Sequence, residues 1–151
     1  MKDLIVPVDG SPEAWVAFDV ALSLARRCDA TIRLVEVVFA PADVTPATSR
    51  LDDAVARQSS LDVDVTVDVR LGAESVATEL ERLLEINPGS VVVMASHGRG
   101  RSAAIVGSVT EDVLQRTFGP ILVVGPHVQV DDFSGPVVVT VDGSDESEAA
   151  L

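Results

Sequence analysis

The stretch from Val91 to Gly125, VVVMASHGRGRSAAIVGSVTEDVLQRTFGPILVVG, constrains the fold most. Two short apolar runs, Val91 to Ala95 and Ile121 to Val124, have the length of buried strands. Between them lie a small-residue loop, Ser96 to Ser102, and the segment Gly107-Ser108-Val109-Thr110-Glu111. A serine followed three residues later by a glutamate is a capping box, so the pattern predicts a helix opening at Ser108. That helix ends near Thr117-Phe118-Gly119, before Pro120. Glycines let backbone approach a ligand closely, and the N–H groups of a helix start attract anions. The unit is suited to holding a phosphate.

The rest of the chain repeats this alternation. Leu4 to Val8 is an apolar run closed by Asp9-Gly10-Ser11-Pro12-Glu13, with Ser11 as N-cap and Pro12 as first helical residue. Trp15, Val16, Phe18, Ala21, Leu22 and Ala25 recur at helical spacing, and Arg26 and Arg27 suit the negative end of the helix dipole. Trp15 and Cys28 read as packing residues of that helix. Residues 31–39 form a second, β-branched strand. Residues 40–48, with Pro41 and Pro46, read as a loop, followed by a short helix over residues 50–59. Val63, Val65, Val67, Val69 and Leu71 alternate with polar residues, the pattern of a strand with one wet face at a sheet edge. Residues 74–86 form an amphipathic helix ended by Asn87-Pro88-Gly89. Strands alternating with helices predict an α/β fold, an open parallel sheet covered on both faces. Ligands of such sheets sit at the carboxyl ends of strands where the strand order reverses. The loops Asp9–Ser11 and Ser96–Ser108 meet there if the first and fourth strands are neighbours.

Composition narrows the partners. With 151 residues and 47% hydrophobic content, the chain supports one compact domain. No apolar run approaches the roughly 20 residues that span a bilayer, and Met1-Lys2-Asp3-Leu4 leads into a strand without a signal-peptide pattern. The single Cys28 precludes an internal disulfide and fits a reducing cytoplasm. A net charge of −13 repels nucleic acid and anionic membranes. Phosphate binding here depends on backbone donors and a few arginines, Arg99 and Arg101 among them. His97 has no visible partner set for a catalytic triad, and neither a Walker A motif nor a His/Cys cluster at metal-ligand spacing is present. No catalytic residue and no resident metal are expected; any Mg2+ arrives with a nucleotide.

The tail repeats the head. Pro136-Val137-Val138-Val139-Thr140-Val141-Asp142-Gly143-Ser144-Asp145-Glu146 echoes Leu4 to Glu13, an apolar strand, then Asp-Gly-Ser, then an acidic helix start. The expected organisation is a domain over residues 1–125, a linker over 126–135, and the first strand and helix start of a truncated second repeat over 136–151. Residues 136–141 need a sheet to join, such as that of a neighbouring chain.

Val8-Asp9-Gly10-Ser11, Ala95-Ser96-His97-Gly98, Gly107-Ser108-Val109-Thr110-Glu111 and Pro120-Ile121-Leu122-Val123-Val124, in that order, resemble the universal stress protein family. The resemblance covers residues 3–125 and restarts at 137. It implies a Rossmann-like five-stranded parallel sheet of order 3-2-1-4-5. It also implies an adenine-nucleotide site for ATP: Asp9 on the adenosine, Pro7 and Val8 lining its pocket, Val37 flanking the adenine. Gly98, Arg99 and Gly100 would pass beside the phosphates, and Gly107 and Ser108 would bind them. The ATP-binding branch carries Gly, two residues, Gly, nine residues, Gly, then Ser or Thr. Here Ala95 stands in the first glycine position, and eight residues separate Gly98 from Gly107. Two readings follow: a nucleotide-binding stress-response regulator without efficient hydrolysis, and a dimeric interaction module of the same fold that binds no nucleotide. An enzyme acting on adenine nucleotides would need a base or metal site that the sequence does not present. Residues 121–124, apolar on both faces at a sheet edge, are expected to be covered by the same strand of a partner or by the second repeat.

Overall fold

A computed structural model describes residues 3–57, 62–97, 106–117, 119–130 and 133–148. In chain order the elements are β1 (Asp3–Pro7), α1 (Pro12–Cys28), β2 (Thr31–Val38), α2 (Pro41–Arg57), β3 (Val65–Leu71), α3 (Val76–Ile86), β4 (Val91–Ala95), α4 (Ser108–Arg116), β5 (Ile121–Val124) and α5 (Asp145–Glu148). The strands form one parallel sheet of order β3-β2-β1-β4-β5, as the resemblance implied. β1 pairs with β2 on one side and β4 on the other, so the strand order reverses beside β1.

Successive side chains of a strand point to opposite faces, and both faces of this sheet are covered. Leu4, Val6, Ile32, Leu34 and Val93 pack with Phe18 and Ala21 of α1 and Leu51 of α2. Ile5, Val35, Val92 and Met94 pack with Leu80 and Leu83 of α3 and Val113 of α4. β4, and β1 beyond Asp3, are therefore apolar throughout, whereas β2 carries Arg33 and Glu36 and β3 alternates.

The edge position of β3 is confirmed, and its polar face is organised. Arg33 lies 3.5 Å from Asp3 and 3.9 Å from Asp68; Arg70 lies 3.3 Å from both Asp68 and Glu79; Arg82 lies 2.6 Å from Glu79. This chain of six charges runs from β1 across β2 and β3 to α3. It tops an edge strand with alternating charge, which disfavours pairing with another sheet.

The α2 region differs from the sequence expectation. Residues 40–48 are not a loop: one helix runs from Pro41 to Arg57 with Pro46 inside it. Proline at the first turn loses nothing, and Pro46 forfeits a single helical N–H bond. Ala47, Leu51 and Ala54, a buried stripe at helical spacing, hold the segment on the sheet. Elsewhere the differences are small: α3 starts at Val76 with Ser75 as its cap, and Cys28 is exposed at the end of α1 rather than packed.

Residues 136–142 join none of the five strands, and Val137 and Val138 are almost fully exposed. The turn that follows copies the one after β1. The Ser11 N–H donates to Asp9 Oδ1 and the Ser144 N–H to Asp142 Oδ1, both at 2.9 Å. Gly10 and Gly143 have φ of 79° and 84°, in the region that favours glycine. Ser11 Oγ accepts from the Ala14 N–H at 3.2 Å, and Ser144 Oγ from the Ser147 N–H at 3.1 Å.

Two measurements check this description. Glu79 has a side chain only 5% exposed, between Arg70 and Arg82, whose side chains are 27% and 50% exposed and can turn to water, so Glu79→Ala is expected to cost about 1 kcal/mol in urea unfolding. Asp62→Ala, which breaks the exposed Arg26–Asp62 pair, should leave the urea midpoint essentially unmoved. Asp142 titrates at about 2, held down by the Ser144 N–H first and then by the Ser144 and Ser147 hydroxyls. Because the folded value lies below the ordinary 3.8, the turn keeps its full stabilisation above that pH and loses it as pH falls through about 2. An NMR titration of the Asp142 carboxyl and the Ser144 amide should share that midpoint; a midpoint at the ordinary value would show that the turn is absent.

Candidate functional site

The reversal of strand order beside β1 leaves a crevice at the carboxyl ends of the strands. It is a cavity of about 470 Å3 bounded by the ends of β1, β2 and β4 and by the first turn of α4. Pro7, Val8, Asp9, Val37, Gly107 and Ser108, all expected at a site, line it together. Gly98, Arg99 and Gly100 lie outside the described residues, as does Arg101.

Each wall has a local cause. Val8 is buried, and its N–H donates to the Val35 carbonyl at 2.8 Å, extending the β1–β2 pairing by one residue. The chain then turns sharply through Gly10, and Ser11, fully buried, caps α1 as the sequence predicts. Asp9 thereby sits at the rim with Oδ1 engaged by the Ser11 N–H. On the β2 side, Gly72 leaves room for Val37: a Cβ there would stand 2.7 Å from Val37 Cγ1.

The α4 corner is built differently from the capping box read in the sequence. Gly107, not Ser108, is the N-cap, and no side chain caps the helix; Ser108 is its first residue. The Gly107 N–H donates to the Ser96 carbonyl at 2.8 Å, and the Ser96 N–H donates to the Val124 carbonyl at 2.8 Å. Thr110 Oγ1 donates to the Ala95 carbonyl at 3.0 Å, tying the first helical turn to the end of β4. Ser96 and Gly107, the described residues on either side of the glycine loop, are thus bonded to one another in a closed neck. The first helical bond is Glu111 N–H to the Gly107 carbonyl, at 2.9 Å. The N–H groups of Ser108, Val109 and Thr110 precede it and have no partner within the helix. Gly107 shapes the neck while these three amides present the positive end of the helix dipole.

His97 is buried in the neck, with Nδ1 2.6 Å from Ser96 Oγ. Glu36 also borders the cavity, and its Oε1 pairs with Arg50 of α2. No lysine or arginine is among the described residues lining the cavity, and no group of metal-binding side chains occurs among the described residues. The arrangement offers an apolar slot between Val8, Val37 and Met94, a carboxylate at one end, and backbone donors at the other. Sequence reasoning missed Val35, Glu36, Met94, Val109 and Thr110. Their signal was positional: residues at the ends of β2 and β4 and in the first turn of α4 face the crevice of any sheet with this order.

The family model described as "Universal stress protein family" matches residues 1–125. A Staphylococcus aureus protein named as a universal stress protein is 28% identical over 154 residues, covering 92% of this chain and 93% of its own. The crystal structure of a protein from the universal stress protein family of Burkholderia pseudomallei is 29% identical, with a TM-score of 0.64 over 82% of this chain and 96% of that one. A universal stress protein solved in complex with cAMP is 24% identical, with a TM-score of 0.66 over 82% of this chain and 96% of that one, a likeness of fold.

Proposed function

The chain belongs to the universal stress protein family, and from that premise we propose that its cleft holds an adenine nucleotide, ATP foremost, and that occupancy alters which proteins it engages. The observation that carries the reading is the cavity itself: an apolar slot at the strand-order reversal, ending on the first-turn amides of α4, which have no partner within the helix. Pro7, Val8 and Val37 would enclose the base, Asp9 would meet the ribose, and the α4 amides with Gly98, Arg99 and Gly100 would meet the phosphates. Mg2+ would enter with the nucleotide. The cAMP complex of a relative of this fold favours a ligand of this class. We read the protein as a sensor rather than a hydrolase, because both carboxylates bordering the cleft are engaged, Asp9 by the Ser11 amide and Glu36 by Arg50.

A second reading, an interaction module that binds no nucleotide, draws on the neck. The loop has one residue fewer than the ATP-binding pattern, and the Gly107 N–H is committed to Ser96. Calorimetry on nucleotide-stripped protein with Mg-ATP separates the two. Micromolar binding to the parent chain, lost in Gly98→Asp, is the expected result; no heat from the parent would favour the interaction module.

We further propose a homodimer through β5. It is the sheet edge beyond β4, its Val123 is exposed, and Val128 and Val130 extend the apolar surface. The copied turn supports reading residues 136–148 as the opening of a second repeat, which offers another cover for the same edge. Charge argues against nucleic-acid and membrane partners, no described helix is long and apolar enough to cross a membrane, and a lone cysteine suits the cytoplasm. Sedimentation velocity should give a dimer for the parent chain and for a version without residues 136–151, and a monomer for Val123→Glu. A dimer that survives Val123→Glu but not the truncation would place the contact on the tail.

A further inference from the structure

His97 is the buried group of the cleft that the reading above leaves without a task. The residue is 8% exposed, it borders the cavity, and its Nε2 has no hydrogen-bond partner among the described residues. Buried polar atoms are nearly always paired, so an orphan at a cavity wall marks a place where something else supplies the partner.

The neighbouring bonds decide what Nε2 can offer. The Ser96 N–H and carbonyl are both committed, to Val124 and Gly107, so the backbone that carries Ser96 Oγ is fixed from two sides. Ser96 Oγ lies 2.6 Å from His97 Nδ1, which is the partner the structure gives that hydroxyl. With the hydroxyl donating, Nδ1 is the acceptor and the neutral ring carries its proton on Nε2. Nε2–H is then a donor held in the same neck as the first turn of α4. The ligand atom it fits is an acceptor oxygen. Asp9 and Glu36 bring carboxylates to this cavity; Arg50 pairs with Glu36 from outside the lining, and no lysine or arginine is among the described lining residues, so an anion entering it depends on directional N–H groups. A smaller cavity of about 240 Å3 is also bordered by His97, but its lining holds Glu13 and no residue of α4, so it lacks the helix-start amides.

We propose that His97 is the phosphate-reading side chain of the cleft: Ser96 fixes its tautomer, and Nε2–H donates to a phosphate oxygen of a nucleotide seated against α4. The inference rests on the nucleotide reading above.

The test uses the full chain stripped of nucleotide, calorimetry with Mg-ATP and with adenosine, and ring-nitrogen NMR of His97. A charge-assisted hydrogen bond lost from such a site corresponds to about ten- to a hundredfold in affinity. His97→Ala should weaken ATP by that factor and leave adenosine within about twofold. His97→Gln, which keeps an N–H donor near the Nε2 position, should recover part of the loss. The parent spectrum should show a proton on Nε2 and none on Nδ1, and ATP, not adenosine, should shift Nε2. Equal loss of both ligands, unchanged ATP affinity in His97→Ala, or a proton on Nδ1 would overturn the assignment while leaving the nucleotide reading intact. A parent chain that binds neither ligand would overturn both.

Discussion

The backbone of β1 has no access to water, because Leu4, Ile5 and Val6 are fully buried on both faces of the sheet. Its N–H and C=O groups must therefore be satisfied by neighbouring strands, and β2 and β4 supply them from opposite sides. Since β2 follows β1 while β4 comes from the later half of the chain, the connections leave β1 in opposite directions. A crevice opens where they part. Val8 takes one more bond from β2 before the chain turns away, and that last bond fixes how deep the crevice runs. The cleft is thus a consequence of burying one five-residue strand, with the helices packed around it rather than creating it.

That dependence explains which parts of the molecule could be read from the residues. The β1 to β5 runs, the Ser11 cap and the β3 alternation follow from short-range chemistry, and all are present. The α2 helix was hidden because Pro41 and Pro46 are local breakers while Ala47, Leu51 and Ala54 act through the tertiary structure. The opposite error occurred at α4. Ser108 and Glu111 have capping-box spacing, but Gly107 is pulled into the cap position by its bond to Ser96, a residue eleven positions earlier. A local pattern lost to a longer-range bond in that case, and a local breaker lost to packing in the other. The site shows the same division. Residues of the Asp9 and Gly107 motifs were visible; Met94, Glu36 and Thr110 became site residues only once the strand order was known.

Charge is distributed according to the same geometry. The Asp3–Arg33–Asp68–Arg70–Glu79–Arg82 chain occupies the one sheet edge whose residues alternate, where solvent reaches the side chains. At the cleft the described lining carries acidic, neutral polar and apolar side chains but no lysine or arginine, so the proposed anion site relies on oriented amides instead of side-chain cations. Amides at a helix start have no partner in the helix, so they can exchange water for an anion without breaking a helical bond. This makes attraction short-ranged: a polyanion gains little at a distance, while a small phosphate that fits the neck meets several dipoles at once.

The two Asp-Gly-Ser turns separate what a motif determines from what a fold determines. Both have the aspartate-to-serine bond, the left-handed glycine and the serine cap, although one is built into the sheet and the other stands on an exposed tail. The turn is therefore encoded within a few residues and forms without a strand beside it. The apolar runs preceding the two turns are also alike in sequence, yet Leu4 to Val6 form a strand and Val137 to Val139 do not. A parallel strand has no partner near it in sequence, so its hydrogen bonds must come from distant segments. The first turn has β2 and β4 beside it and borders a cavity; the second follows a segment that joins none of the five strands. Asp9 and Asp142 are equivalent as chemistry, and only the sheet places one of them beside a cavity.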